Sequence, residues 1–416
     1  MTELRPTLST ATLLRLFLPF GLGYFVSYAF RTVNAVIAPD LVADLGLSPA
    51  DLGLLTSTYF LSFAAFQLPL GVLLDRFGPR RIEAILLLLA ASGALLFALA
   101  ETVSGLILGR ALIGLGVSAC LMAAFKAFSS WLPAERLPFA NGVQMVSGGL
   151  GALSATTPVQ AALQITDWRG VFILLAGLAL LAAVVVFLFV PDAPRSKVDL
   201  TLKDQLAGLQ RILSSRDFWR IAPWAVSSQS TYLSVQGLWS GPWLRDVANY
   251  GRDDVAQVLW WIAVAMIVGY FGLGSLAGRL ARHGIRPAVV ATSGMGLFLL
   301  VQLLLVLIPE YAESLWFGFG FFGTAGILAY AVLAQVFPAQ LSGRCNTALN
   351  LLVFVAAFAA QWLIGAVIGQ WTIDQTGGYQ PAGYHAAFLV LIGAQLLSAL
   401  WYFIAGVQRG KTGANL

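Results

Sequence analysis

Long apolar runs recur from one end of this 416-residue chain to the other, and they leave few ways for it to fold. Each run is about 20 residues long, enough for a helix to cross a hydrocarbon layer of roughly 30 Å. Only 10% of the residues are charged, where a soluble domain carries about 25%. That is too little charge to cover the surface of a water-soluble protein of this length. Twelve spans are expected, at 13–36, 51–71, 83–100, 105–127, 140–163, 170–190, 220–243, 255–277, 288–308, 314–337, 345–369 and 384–406. The first lacks a small-residue cleavage site and carries polar groups, so it reads as a retained span and not as a signal peptide. The seventh is diluted by Pro223, Ser227, Ser228, Gln229, Ser230 and Gln236. A helix so polar suits the wall of a watery cavity better than contact with lipid.

Basic residues set the orientation. If both termini are cytoplasmic, eighteen Lys and Arg fall inside and three (Arg169, Arg245 and Arg252) outside. That bias fits the positive-inside rule and an even number of spans. It also accounts for the net charge of +5, so no nucleic-acid partner is needed. The longest inner connection opens with Pro191-Asp192-Ala193-Pro194. It divides the chain into a six-span half at 1–190, a cytoplasmic linker at 191–218 and a second six-span half at 219–416. Two related halves packed around a central site are the layout expected of such a chain.

Several function classes are excluded. There is no phosphate-binding P-loop, which argues against an ATP-driven pump. With two His and two Cys in all, no metal-ligand spacing exists, and no cofactor is expected. Paired catalytic groups are wanting, so the chain does not read as an enzyme.

Between spans two and three the sequence runs Gly71-Val-Leu73-Leu-Asp75-Arg76-Phe-Gly78-Pro-Arg80-Arg81. The glycines let a helix end and turn sharply, and Asp75 can pair with a basic group or a neighbouring helix N-terminus. A degenerate echo, Gly274-Ser-Leu276-Ala-Gly278-Arg279, lies between spans eight and nine, with Gly278 in the aspartate position. Span four carries Leu108-Gly109-Arg110-Ala111-Leu112-Ile113-Gly114-Leu115-Gly116, followed by Trp131-Leu-Pro133-Ala-Glu135-Arg136. The first loop resembles the signature G-x-L-x-D-R-x-G-x-R-R of the major facilitator superfamily at every defining position, and span four resembles that family's second signature. The resemblance implies twelve transmembrane helices in two six-helix halves around a central cavity, working by alternating access. It gives Gly71, Asp75, Arg76, Gly78, Arg80 and Arg110 a gating role.

Charges within spans are the most informative residues, because burying one costs several kcal/mol unless it is paired or hydrated. Arg31, Arg110 and Lys126 qualify, and all are positive. No Asp or Glu is expected deep in a span, and Glu83 is expected at the membrane edge. Unpaired positive charge attracts an anion, which an arginine fork grips at two points. Tyr24, Tyr28 and Arg31 share one helix face, with Asn34 near it. This segment resembles the first span of the organic-anion porters, where an arginine at this place binds the substrate. Lys126 lies about 160° around the helix from Arg110 at about 100° per residue, so both cannot face one cavity. It either touches substrate or snorkels to water.

Polar stripes extend the candidate site. Gln229, Tyr232, Gln236 and Trp239 recur along span seven; Asn346, Asn350 and Gln361 along span eleven; Tyr59, Phe63 and Gln67 along span two; Gln144, Gly148 and Gly151 along span five. Amides of this kind serve either substrate or interhelical hydrogen bonds. The expected protein is a monomeric secondary transporter in the bacterial inner membrane, carrying a small organic anion (a carboxylate- or phosphate-bearing metabolite) with a coupling proton or a counter-anion. Efflux of drugs or metabolites, and a non-transporting sensor on the same fold, are the alternatives.

Overall fold

The computed structural model describes residues 10–132, 136–191, 202–372 and 378–411. The expectations on Arg5, Pro133, Glu135, Arg195 and Lys197 lie outside them. The chain is all-helical, with α1 (Thr10–Thr32), α2 (Asn34–Leu45), α3 (Pro49–Phe77), α4 (Pro79–Leu99), α5 (Val103–Gly116) and α6 (Cys120–Trp131) opening the series. α7 (Leu137–Ser154), α8 (Thr157–Ala162), α9 (Trp168–Phe189), α10 (Leu202–Leu213), α11 (Arg216–Ser234) and α12 (Ser240–Asp246) follow. α13 (Arg252–Arg282), α14 (Pro287–Leu307), α15 (Ala312–Gly323), α16 (Leu328–Val336), α17 (Ala339–Ile368) and α18 (Pro381–Lys411) complete it.

These make twelve passages across the membrane. α1 with α2, α5 with α6, α7 with α8, and α15 with α16 are each one interrupted passage. α11 and α12 are joined through a π-helical turn at Val235–Trp239, and α10 lies between passages six and seven. Ten passages are long and apolar enough to qualify by composition alone. The two that do not are the fifth and the polar seventh. Burial separates inner from outer helices: 61% of the best window in Val103–Trp131 is buried within the protein, against 28% in Pro381–Ala405. The first is a central helix and the second a lipid-facing one.

Local chemistry sets the helix ends. α3 starts on a capping box, in which Ser48 Oγ accepts from the Asp51 amide at 3.1 Å and the Asp51 carboxylate accepts from the Ser48 amide at 3.2 Å. It stops at Gly78, whose φ of +82° a side chain would resist. α4 then begins at once with Pro79. Thr102 and Asp167 cap α5 and α9. The signature loop is therefore a sharp helix-to-helix corner, as its glycines suggest.

One face of the molecule carries the α3–α4 corner, the end of α6, α10 and the start of α17. We call it the basic end, and the opposite one the far end. α3 packs along α17, and α7 against α13, so the first and last six passages meet along two long seams.

Candidate functional site

A cavity of about 380 Å³ lies between the seams. Its deep end is formed by Arg31 and Tyr28 from α1, Phe63 from α3 and Phe354 from α17. From there it runs past Gln67, Gln229, Tyr330 and Asn350 to Phe125 on α6 and to Gly343, Asn346 and Thr347 on the first turns of α17. It thus leads toward the basic end. A volume of this order suits a small metabolite.

The far end is closed in layers. Phe63 and Phe354, one from each seam partner, stack at 4.2 Å. Beyond them Gln361 Nε2 donates to Thr56 Oγ1 at 2.6 Å, and Trp239 Nε1 donates to the Gln361 carbonyl at 3.0 Å. Gly241 on α12 lies directly against the Ala35 carbonyl on α2. At the rim, Arg252 Nη2 pairs with Asp40 Oδ1 at 2.8 Å and Gln160 Nε2 donates to Asp253 Oδ1 at 3.2 Å.

Arg31 is the chemical centre. It is 7% exposed, its Nε has no hydrogen-bond partner, and no carboxylate forms an ion pair with it among the described residues. Aromatic faces surround it instead: Tyr28 at 4.5 Å, Phe354 at 5.4 Å, and Tyr59 and Phe63 at 5.9 Å from its guanidinium carbon. These contacts offset part of the cost of the buried charge but supply no counter-ion. Tyr28 also meets Tyr270 of α13, hydroxyl to hydroxyl, at 3.3 Å. Tyr330 donates to Asn350 Oδ1 at 3.1 Å.

Five of the nine candidate substrate residues line the cavity: Tyr24, Tyr28, Arg31, Gln229 and Asn350. The other four are turned to neighbouring helices. Asn34 Nδ2 donates to the Arg31 carbonyl at 3.3 Å. Gln144 Nε2 donates to the Phe20 and Cys120 carbonyls at 3.0 and 3.4 Å. Tyr232 is enclosed with Phe298 and Phe319, and Gln236 Nε2 reaches Met266 Sδ at 3.4 Å. Tyr270, Tyr330 and Phe354 were not singled out in the sequence, because aromatic residues are common along these spans and nothing in the sequence marks which of them face the cavity.

The break between α1 and α2 explains two of these placements. Val33 interrupts the helix, and the Phe30 and Arg31 carbonyls beside it accept from Arg110 Nη1 at 3.2 Å and from Asn34. Arg110 therefore sits 1% exposed, deep among the helices and away from the signature corner. Gly71, Asp75, Arg76, Gly78 and Arg80 are at or next to that corner. Arg80 lies over the Phe187 ring at 5.1 Å and Arg76 over Phe77 at 5.3 Å.

Two expectations are corrected. Lys126 neither lines the cavity nor snorkels freely: its ammonium forms an ion pair with Asp75, 51 residues earlier. Glu83, expected at the membrane edge, does not face water there. It is 0% exposed, turned inward against Gly23 of α1, so the spans do hold a buried carboxyl group.

A profile of the Major Facilitator Superfamily matches residues 20–361. Over 392 residues the chain is 24% identical to the probable sulfoacetate transporter of Cupriavidus necator, with 90% of each covered. Over 410 residues it is 25% identical to the hexuronate transporter of Escherichia coli K12, covering 90% of this chain and 91% of that one. Among solved structures, a bacterial homologue of the human lysosomal transporter Spinster, inward-facing and unoccupied, matches with a TM-score of 0.76 at 17% identity over 96% of this chain and 98% of that one. A D-xylose–proton symporter matches with a TM-score of 0.71 at 16% identity over 94% and 97%. At such identities the likeness to these structures shows the fold.

Proposed function

Since this chain belongs to the major facilitator superfamily, we propose that it carries a small organic anion, bearing a carboxylate or sulfonate, across the bacterial inner membrane by alternating access. It is a multi-pass membrane transporter and not an enzyme. The observation that carries the anion reading is Arg31, a buried guanidinium with no counter-ion at the deep end of the cavity. Burying an unpaired charge is costly, and an anion entering the cavity offsets that cost while the fork grips it at two points. Gln67, Gln229, Asn346 and Asn350 offer amides to hydroxyl or carbonyl groups, and the aromatic walls suit a ring. The sulfoacetate and hexuronate relatives, both named for anions, support the same class.

With both termini and the basic loops cytoplasmic, the cavity faces the cytoplasm and the far-end layers seal the outer side. In the cycle, the halves 1–190 and 219–416 rock about the two seams, joined by the linker 191–218, and a central cavity walled by both halves of a single chain supports the monomer as the transport unit. Asp75, Arg76, Gly78 and Arg80 steady the inner corner, with Lys126 holding Asp75. The coupling partner is a proton or a counter-anion.

Counterflow in proteoliposomes, with labelled glucuronate, galacturonate and sulfoacetate, tests the reading. Arg31→Ala removes one partner of a buried charge pair, which costs about 2–5 kcal/mol, so the active anion should bind at least roughly 30-fold more weakly. Equal counterflow by Arg31→Ala, or counterflow of cationic compounds alone, would overturn it.

A further inference from the structure

Glu83 lies one turn into α4, fully enclosed, and neither carboxyl oxygen has a hydrogen-bond partner. Its neighbour is Gly23 on α1, where the absence of a side chain makes the room the carboxyl group occupies: a Cβ there would lie 3.5 Å from the carboxyl carbon and closer still to one oxygen. The charged groups on the elements around it are committed elsewhere. Asp75 of α3 and Lys126 of α6 hold each other, Arg110 of α5 holds the Phe30 carbonyl, and Arg169 of α9 pairs with Asp44 at the far end. Arg76 of α3, and Arg81 of α4 itself, are exposed at the corner; Arg80 lies over Phe187; and Arg15 of α1 is exposed. Tyr24, next to Gly23, turns its hydroxyl to Met145. The group left is Cys120 of α6, a free and buried thiol that carries no charge to offset a carboxylate.

We propose that Glu83 is the group that takes up and gives off the coupling proton, making the protein a proton–anion symporter; this rests on the anion reading of the cavity. A carboxylate charge enclosed here has neither counter-ion nor donor to offset its desolvation. The proton therefore leaves only when α1 moves from α4 and water enters. At that step the O–H bond of the acid breaks, its electron pair stays on the carboxylate oxygen, and the proton passes to water as hydronium. Arg31 is on the same helix, two turns beyond Gly23. In the empty carrier its positive charge loosens the proton that the enclosed Glu83 holds, since charges inside a protein act over longer range than in water. When an anion sits on Arg31 that effect is cancelled and Glu83 holds its proton more firmly. Anion and proton thus favour each other's binding, and with both bound the buried site carries no net charge.

Two measurements on the full-length protein test this. Infrared difference spectra of wild type against Glu83→Gln at pH ~7, where an exposed Glu is ionised, should show a protonated-carboxyl C=O band that the variant lacks. The absence of that band would overturn the proposal whatever the substrate. In proteoliposomes given the same three anions, a gradient of about one pH unit should drive up to roughly tenfold accumulation of the active one, with one proton per monoanion. Glu83→Gln should lose that accumulation and keep gradient-free counterflow. Accumulation retained by Glu83→Gln, or counterflow lost with it, would refute the role. A wild type with no counterflow of any anion sinks the substrate reading, while the infrared result still decides whether Glu83 holds a proton.

Discussion

Gly241→Ala should prop the far end open. Gly241 packs on α2, and a methyl group there would overlap the Ala35 carbonyl oxygen and lie 2.8 Å from its carbon, where ordinary contact begins at 3.4 Å. The α12 and α2 backbones must therefore separate by about 0.6 Å or more. Overpacking of this kind costs roughly 1–3 kcal/mol. The clash exists only while the far end is closed, so the cost falls on the closed–open equilibrium and shifts it by about 5- to 150-fold. A single cysteine at Ser27, a cavity position, in a Cys120→Ala/Cys345→Ala background reports the shift. An impermeant thiol reagent added from the far side should label it faster in Gly241→Ala than in the parent. Gly177→Ala, whose methyl group meets nothing within 4 Å, serves as control. Unchanged labelling with a lowered melting temperature would refute the reasoning, because the strain would then be borne by both states.

Three further outcomes follow from the geometry. The Asp75–Lys126 pair is partly exposed, with side chains at 16% and 35%. Lys126→Ala should then change stability by no more than about 1 kcal/mol while slowing transport, and the Asp75→Lys/Lys126→Asp exchange should restore part of the rate in a counterflow assay. Gly23→Ala should destabilise the protein by about 1–3 kcal/mol through overlap with the Glu83 carboxyl group. Adding Glu83→Ala should relieve that loss and adding Glu83→Gln should not, a non-additivity that thermal melts of the double variants measure. Hydrogen bonds from Arg169, then from Trp168, hold the Asp44 carboxyl below its ordinary value of 3.8. The contact's contribution is complete above that value and is lost as pH falls through the lower folded one. An acid titration of Trp168 fluorescence, isolated by subtracting Trp168→Phe, should show the loss in wild type and not in Asp44→Asn.

Much of the architecture was legible because the membrane writes it in length and hydropathy. The passages, the corner at Gly78 and the cavity-facing stripe of Tyr24, Tyr28 and Arg31 follow from apolar runs, glycine chemistry and helical spacing. The polar seventh span was readable as unusual, but its π-helical turn at Val235–Trp239 was not, since one extra residue per turn leaves no mark in composition. The amides show where helical spacing stops being informative. A polar face on one helix can look into a cavity, as Gln229 does, or at a neighbour's backbone, as Gln144 does, and only the packing of other helices distinguishes them. Lys126 and Glu83 failed for the same reason. Each was judged by its distance from a span end, whereas its environment is set by residues far away in the chain, Asp75 and Gly23.

The interruption at Val33 divides the first passage mechanically. Arg31 belongs to α1, anchored by α7 and α9, while Asp40 and Ala35, which hold the far-end seal, belong to α2. The Phe30 and Arg31 carbonyls between them bond to side chains, so a bend placed there would move the lid and leave the ligand anchor where it is. Affinity and gating are then separate dials on one polypeptide segment: substitutions around Tyr24 and Tyr28 can retune what is carried, and changes beyond Val33 can retune how often the door opens. A lineage that exchanged one anion for another would work on the lower part of this passage together with the amides of α3, α11 and α17 that face the same cavity.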